Sequence, residues 1–197
     1  MLHRETGDGR RTKFATGQTI RARRQELGMT LQALGEKSGL STAFISQVER
    51  GQASASMVSL MNLARALDVN VTTFMEIPMG EAPIRRRDNP QYIEIDSPVQ
   101  YVQLSAGMKL QQLDIVLMTI PPGHVFPVDQ REGEDFLYVL EGELYTELGD
   151  LKETLREGDC THFNSRTPHT ASNLTTKNVV LLYVGTPSVF KPDRQQD

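Results

Sequence analysis

The hydrophobic period of this 197-residue chain changes once, and that change restricts it to two units of different class. From Thr16 to about Phe74 apolar residues recur at helical spacing, punctuated by caps and stops. Ile20, Arg24 and Leu27 share one face, and Gly28 stops that helix. Thr30 is suited to cap LQALGEKS, which Gly39 ends; Ser41 caps TAFISQVER, which Gly51 ends. Ser56 caps MVSLMNLARAL, whose Leu60, Leu63, Ala64 and Leu67 form an apolar stripe, and a short helix near Val71–Met75 closes the set. Five helices are predicted, in a domain over residues 16–76. After residue 98 the pattern becomes strand-like, with runs at about 99–105, 110–120, 136–148, 160–163 and 178–184 separated by Pro, Gly, Asp and Asn. LYVLEGELYTEL and NVVLLYVG are rich in the β-branched and aromatic residues that suit a pleated surface. Several short strands at this spacing predict an antiparallel sandwich or barrel over 99–190.

Between them, residues 77–98 hold four prolines and the triplet Arg85–Arg87, and read as a linker. Residues 1–15 are polar and basic without periodicity and read as a flexible arm. The fold class expected is therefore a multidomain α + β chain. Charge divides with the period. Residues 1–78 carry 10 Lys and Arg against 7 Asp and Glu, whereas residues 99–197 carry 8 against 14. A basic amino-terminal part beside an acidic carboxy-terminal one fits a phosphate-facing module joined to one that does not touch nucleic acid. No apolar run approaches the roughly 20 residues needed to cross a bilayer, and the start lacks the apolar centre of a secretory signal, so a cytoplasmic protein without membrane contact is expected. The single cysteine, Cys160, excludes an internal disulfide and is read as a small buried filler.

MTLQALGEKSGLSTAFISQVERG resembles the helix-turn-helix of the phage-repressor, or Xre, class over Ile20 to about Phe74. Gly35 stands where Ala is commoner, and Ala55 where Pro often precedes the next cap. The resemblance implies that the second helix of the pair enters the major groove. Thr42, Ala43, Ser46 and Gln47 would then meet base edges, Gln47 being able to bind adenine in bidentate fashion and Ala43 to touch a thymine methyl. Arg50, Ser54 and the helix start at Thr30, Leu31 and Gln32 would meet phosphates, which set register. Glu49 is expected to be structural, paired with an arginine of the first helix such as Arg24.

PGHVFPVDQREGEDFLYVLEG resembles the first cupin signature in spacing, from Gly123 to Gly142. Its two His positions hold Asp129 and Arg131, and its Glu position holds Asp135. GDCTHFNSRTPHTASN follows the second signature at Gly158, His169 and Asn173, with Asn164 and Arg166 replacing its inner Pro and Gly. The resemblance implies a cupin β-barrel of the double-stranded β-helix or jelly-roll type, and places Asp129, Arg131, Asp135 and His169 where a metal would sit. Arg131 has donors only and is always charged, so no metal, cofactor or catalytic residue is expected. A weak carboxylate site at Asp129, Asp135 and His169 stays open if Arg131 swings out. Alternation puts Asp135, Leu137 and Val139 on one face and Phe136, Tyr138 and Leu140 on the other. Two readings of Arg131 stand side by side. It either plugs the barrel by pairing with Asp129 or Asp135, or takes a ligand's carboxylate or phosphate while Asp135 and His169 bind donors and Leu137 and Val139 form a wall.

Together the two motifs resemble a family of bacterial transcription regulators. What that implies is a homodimeric repressor binding a palindromic operator on double-stranded DNA, with a small polar metabolite as effector. The alternative is a metal-dependent cupin enzyme of oxygenase or epoxidase type with a helix-turn-helix-like start.

Overall fold

The computed structural model describes residues 9–78, 82–108 and 110–190, with side chains from Ala15 onward. Four α-helices open the chain: α1 (Gly9–Glu26), α2 (Leu31–Ser38), α3 (Thr42–Glu49) and α4 (Met57–Leu67). The fifth expected helix is a single 3-10 turn, Val71–Thr73. Helix α1 begins inside the stretch expected to be a flexible arm; residues 1–8 of that stretch lie outside the described residues. Residues 9–15 lack an apolar stripe, but Arg, Lys and Ala have good helix propensity, and a helix nucleated on packed residues propagates cheaply into such a segment. Leu27 is 41% exposed because it falls beyond the last turn of α1, so it does not share the buried face of Ile20.

The caps follow the sequence. Ala33 N–H donates to Thr30 Oγ1 at 3.0 Å, Phe44 N–H to Ser41 Oγ at 3.2 Å, and Ser59 N–H to Ser56 Oγ at 3.2 Å. Gly39 closes α2 in the left-handed conformation, φ 70°. Helix α1 meets α3 at Gly17, where a Cβ would lie 2.2 Å from the Val48 carbonyl oxygen. That backbone approach is available only to glycine. Ile20, Leu34, Ile45, Leu60, Leu63 and Leu67 fill the helical core.

The remainder forms two antiparallel sheets. The strands are β1 (Gln100–Gln103), β2 (Asp114–Ile120), β3 (Glu134–Glu141), β4 (Glu143–Leu148), β5 (Leu151–Arg156), β6 (Cys160–Asn164), β7 (His169–Ser172) and β8 (Val179–Thr186). One sheet runs β1-β2-β8-β3-β6 and the other β5-β4-β7. Among the described residues no ladder joins the sheets into a closed barrel. The chain at 125–129 lies beside β7, bridging Val125 to Ser172 and Asp129 to His169. The expected run 136–148 is two strands turned at Gly142, φ 87°. Strand β5 has no apolar alternation because it is an exposed edge, and β7 is only four residues long; neither carries a strand signal in sequence.

The segment expected to be a linker is partly built into the fold. Ile93 N–H donates to the Tyr101 carbonyl at 3.0 Å, Gln103 N–H to Gln91 at 2.8 Å, and Glu76 bridges to Glu94. Residues 91–94 thereby cover the outer edge of β1, which would otherwise stay unpaired. Arg85 turns its guanidinium onto the Ser105 and Ala106 carbonyls. Residues 79–81 lie outside the described residues.

Candidate functional sites

Helix α3 is anchored on one side and open on the other. Ile45, Val48 and Glu49 are buried, whereas Thr42, Ala43 and Gln47 are exposed and Ser46 is half-buried. The anchor is ionic as well as apolar. Arg24 grips Glu49 with Nε and Nη2 at 2.6 and 2.8 Å, and its Nη1 donates to the Met29 carbonyl at 2.8 Å. The Glu49 hydrogen bond raises the Arg24 pKa above its ordinary value despite burial. Glu49 therefore fixes α3 against α1, as expected from sequence. Of the residues expected at phosphates, Thr30 and Gln32 are exposed, and Leu31 packs against the core with its backbone at the helix start. Ser54 is half-buried, while Arg50 folds back onto Ser46 Oγ and onto Gln52 Oε1 at 2.9 Å.

The second site is a cavity of about 100 Å³ between the two sheets. Its wall is mainly apolar, with Val116, Met118, Leu137, Phe163 and Leu181 from the larger sheet and Leu148 and Ala171 from the smaller. Asp129, Arg131, Asp135, His169 and Tyr183 make its polar end. Alternation along β3 places Asp135, Leu137 and Val139 inward, as expected. Val139, however, does not line the cavity. It lies one inward position beyond Leu137, about 6–7 Å along the strand, and is packed into the core there.

Arg131 spends its donors on the protein. It ion-pairs with Asp135, donates to Tyr183 Oη at 2.6 Å and to the Thr186 carbonyl at 2.8 Å, and its Nε stands 3.4 Å from Asp129 Oδ2 without hydrogen-bond alignment. Burial opposes its charge, but the Asp135 and Asp129 carboxylates beside it outweigh burial and raise its pKa. Half-buried Tyr183 has its pKa raised well above the ordinary value by desolvation of its hydroxyl and by the facing Asp135 carboxylate, so it stays protonated and donates to Asp135 Oδ1 at 2.8 Å. Ser165 Oγ donates to Asp135 Oδ2 at 2.8 Å. His169 Nδ1 donates to the Thr167 carbonyl at 2.8 Å, which turns Nε2 toward Asp135 Oδ2 at 3.5 Å. Arg131 thus makes the internal ion pairs with Asp129 and Asp135 that one of its two readings expected, with its fork engaged by protein groups.

A divalent metal does not fit these residues. A guanidinium stands between the two carboxylates, and among the described residues no three His, Cys, Asp or Glu gather as a cation cage. His124 stacks edge-on against Phe126 at 4.5 Å with Nε2 buried and unpaired, and burial lowers its pKa. His162 is exposed on the edge strand β6, 3.2 Å from Glu134. Cys160 is exposed and not a core filler, because position 160 points to the outer face of β6 opposite Tyr138. Sequence reasoning missed Tyr183, Ser165 and the contribution of α4, whose Met57, Val58 and Met61 also line the cavity. Met57, Val58 and Met61 sit on a second side of α4, and a helix apolar on two sides is a signal that it packs on both.

Residues 20–74 match the helix-turn-helix family and residues 116–185 match the cupin domain family. The chain is 26% identical over 186 residues to the HTH-type transcriptional regulator PuuR of Escherichia coli, covering 90% of this chain and 97% of that protein. The HTH-type transcriptional regulator SutR of Escherichia coli is 34% identical over 65 residues, 33% of this chain and 36% of SutR. In fold, the crystal structure of an HTH_3 family transcriptional regulator from Vibrio cholerae superposes with a TM-score of 0.56 at 19% identity, covering 90% of this chain and 98% of that one.

Proposed function

We propose that this chain, which carries an Xre-type helix-turn-helix domain followed by a cupin domain and is homologous to HTH-type transcriptional regulators, is a sequence-specific repressor whose cupin half binds a small metabolite without metal or catalysis. The observation that carries the DNA half is the division of α3. One side is locked by the Arg24–Glu49 pair, which leaves Thr42, Ala43 and Gln47 presented together on a rigid support. Thr42, Ala43, Ser46 and Gln47 read base edges, while the start of α2 at Thr30, Leu31 and Gln32, with Arg50 and Ser54, holds phosphates. Because Thr30 Oγ1 accepts from Ala33, its O–H remains available to donate to a phosphate. Genomic binding-site mapping tests this reading. A shared palindromic sequence supports it, and binding without sequence preference refutes it. In gel shifts, Gln47→Ala is expected to relax preference at about one position per half-site, costing roughly 1–3 kcal/mol.

The working unit is a homodimer with two half-sites, and the outer face of the larger sheet supports it. Val102, Leu117, Leu182, Tyr138 and Cys160 form one row across all five strands, and Ile115, Val184, Phe136 and His162 a second. At about 4.8 Å per strand and 3.3 Å per residue this face covers roughly 500 Å². That approaches the about 800 Å² per partner of a standard interface, and a two-fold axis lets the patch face its own copy. Sedimentation of the full chain tests it, with Leu182→Glu expected to give monomers.

The cavity supports the effector half, in a domain whose two sheets we read as the faces of a flattened jelly roll. An occupant would lay an apolar body against Leu137 and place a polar end near Asp129, Asp135 and His169. Such a regulator acts in the cytoplasm, where its DNA is. No helix among the described residues is long and apolar enough to cross a membrane. The enzyme reading needs an open cation site, which the Arg131 network fills with protein charge.

A further inference from the structure

Helix α4 belongs to two sites at once. Its Leu60, Leu63 and Leu67 are buried in the helical core, while Met57, Val58 and Met61 form part of the cavity wall. Both ends are fastened to residues at the cavity. At the amino end, Met57 N–H donates to the hydroxyl of Tyr101 at 3.3 Å. Tyr101 is buried and lines the cavity, and burial pushes its pKa up to about 12, so it remains neutral. At the other end, Arg65 donates to Asp129 Oδ1 and to the Gln130 carbonyl at 3.1 Å. The two fastenings are eight residues apart, about 12 Å along the helix axis.

The Arg65–Asp129 contact is lopsided. The side chain of Arg65 is 44% exposed, whereas that of Asp129 is 6% exposed and has Arg131 on its other oxygen. Turning Arg65 into water gives up its donation to Asn62 Oδ1 and to the Gln130 carbonyl, and leaves buried Asp129 Oδ1 with the Gln130 N–H at 2.9 Å, one donor fewer than its burial favours. A group in the cavity that donates to Asp129 Oδ1 competes with Arg65 for that oxygen.

We propose that the effector site is shared between the domains: α4 roofs the cavity, and the Arg65–Asp129 bridge is a latch that an occupant opens, releasing α4 and weakening operator binding. The inference rests on the cavity reading above. The occupant is a small amphiphile, of about six heavy atoms for a cavity of this size, with a head that donates hydrogen bonds. Because Leu60, Leu63 and Leu67 continue into the core that seats α2 and α3, a change in the seat of α4 reaches the reading helix through packed side chains.

The test uses the full chain and an operator recovered by mapping. Arg65→Ala and Asp129→Asn are each expected to weaken operator binding about fivefold or more, within the usual range of allosteric coupling. The double variant should be no weaker than either single one, and Arg65→Lys should restore most of the affinity. Amide exchange within α4 should quicken in the two single variants. If Arg65 merely touched a phosphate, Arg65→Ala would flatten the salt dependence by about one ion while Asp129→Asn changed nothing, and that pattern overturns the latch. Operator affinities within twofold of the parent in folded Arg65→Ala protein also overturn it. The probes are n-butanol, n-butylamine and butyrate, four-carbon compounds of which butyrate alone lacks a donor. Butanol or butylamine should raise the melting temperature and weaken operator binding in the parent, and raise the melting temperature without further weakening in Arg65→Ala. Stabilisation that leaves operator affinity unchanged in the parent overturns the coupling. No stabilisation by any probe refutes the cavity as an effector site, while the Arg65 and Asp129 variants still decide the latch.

Discussion

Replacing Arg131 by Met removes the centre of the buried charge network while keeping most of its volume. Its side chain is 8% exposed, and it stands between carboxylates 6% and 3% exposed. Asp129 keeps Arg65, and Asp135 keeps Tyr183 and Ser165, so neither loses every partner. Yet two buried negative charges would face a cavity with one half-exposed arginine to balance them. Breaking a buried pair from one side costs about 3–5 kcal/mol, and the Thr186 carbonyl loses its donor as well. If the chain unfolds as one cooperative unit, each kcal/mol lowers the melting temperature by about 2–4 °C at this size, for a loss of roughly 10 °C. Adding Asp135→Asn removes one stranded charge, so the double variant should lose less than the sum of the two single ones. Thermal and urea denaturation of the four proteins measure both quantities. A loss below about 2 °C for Arg131→Met, or strict additivity with Asp135→Asn, would show that Arg131 is not a plug and return it to the role of ligand binder.

Three further outcomes are expected. Glu49→Ala strands Arg24 between α1 and α3 and should cost about 3–5 kcal/mol, with operator binding lost as α3 loosens; urea denaturation and gel shifts check it. Gly17→Ala puts a methyl against the Val48 carbonyl, so α1 must move off α3 at a cost of about 1–3 kcal/mol, while the cupin domain keeps its near-ultraviolet signal. His124, with its pKa lowered by burial, binds its proton less readily in the folded chain than in the unfolded one. Its contribution is therefore neutral above the unfolded value of about 6.5 and turns destabilising as pH falls below it. His124→Gln should lose less melting temperature between pH 7 and pH 5 than the parent does, and an equal loss would remove His124 from the account.

The helical domain was largely legible because its information is local. Thr30, Ser41 and Ser56 are caps whose partners lie three residues away, and Gly39 can take the left-handed turn that ends α2 with no Cβ penalty. Even the Arg24–Glu49 pair could be named, since helix-turn-helix spacing fixes which faces meet. The strands were legible only where they alternate. Strand β3 showed its inward face plainly, but β5 is an exposed edge and β7 is too short to set a period.

From the sequence came the two domain classes, the exposed face of α3, and, through the resemblance to the cupin signature, the charged trio Asp129, Arg131 and Asp135. The tertiary structure decided what those charges do. Arg131 meets Tyr183 and Thr186 across 52 and 55 residues, and Arg65 meets Asp129 across 64. No local pattern encodes such distances, because each pairing depends on where two independently folded surfaces come to rest. The same holds for α4, whose second apolar side acquires a meaning only when the cavity of the other domain lies beneath it.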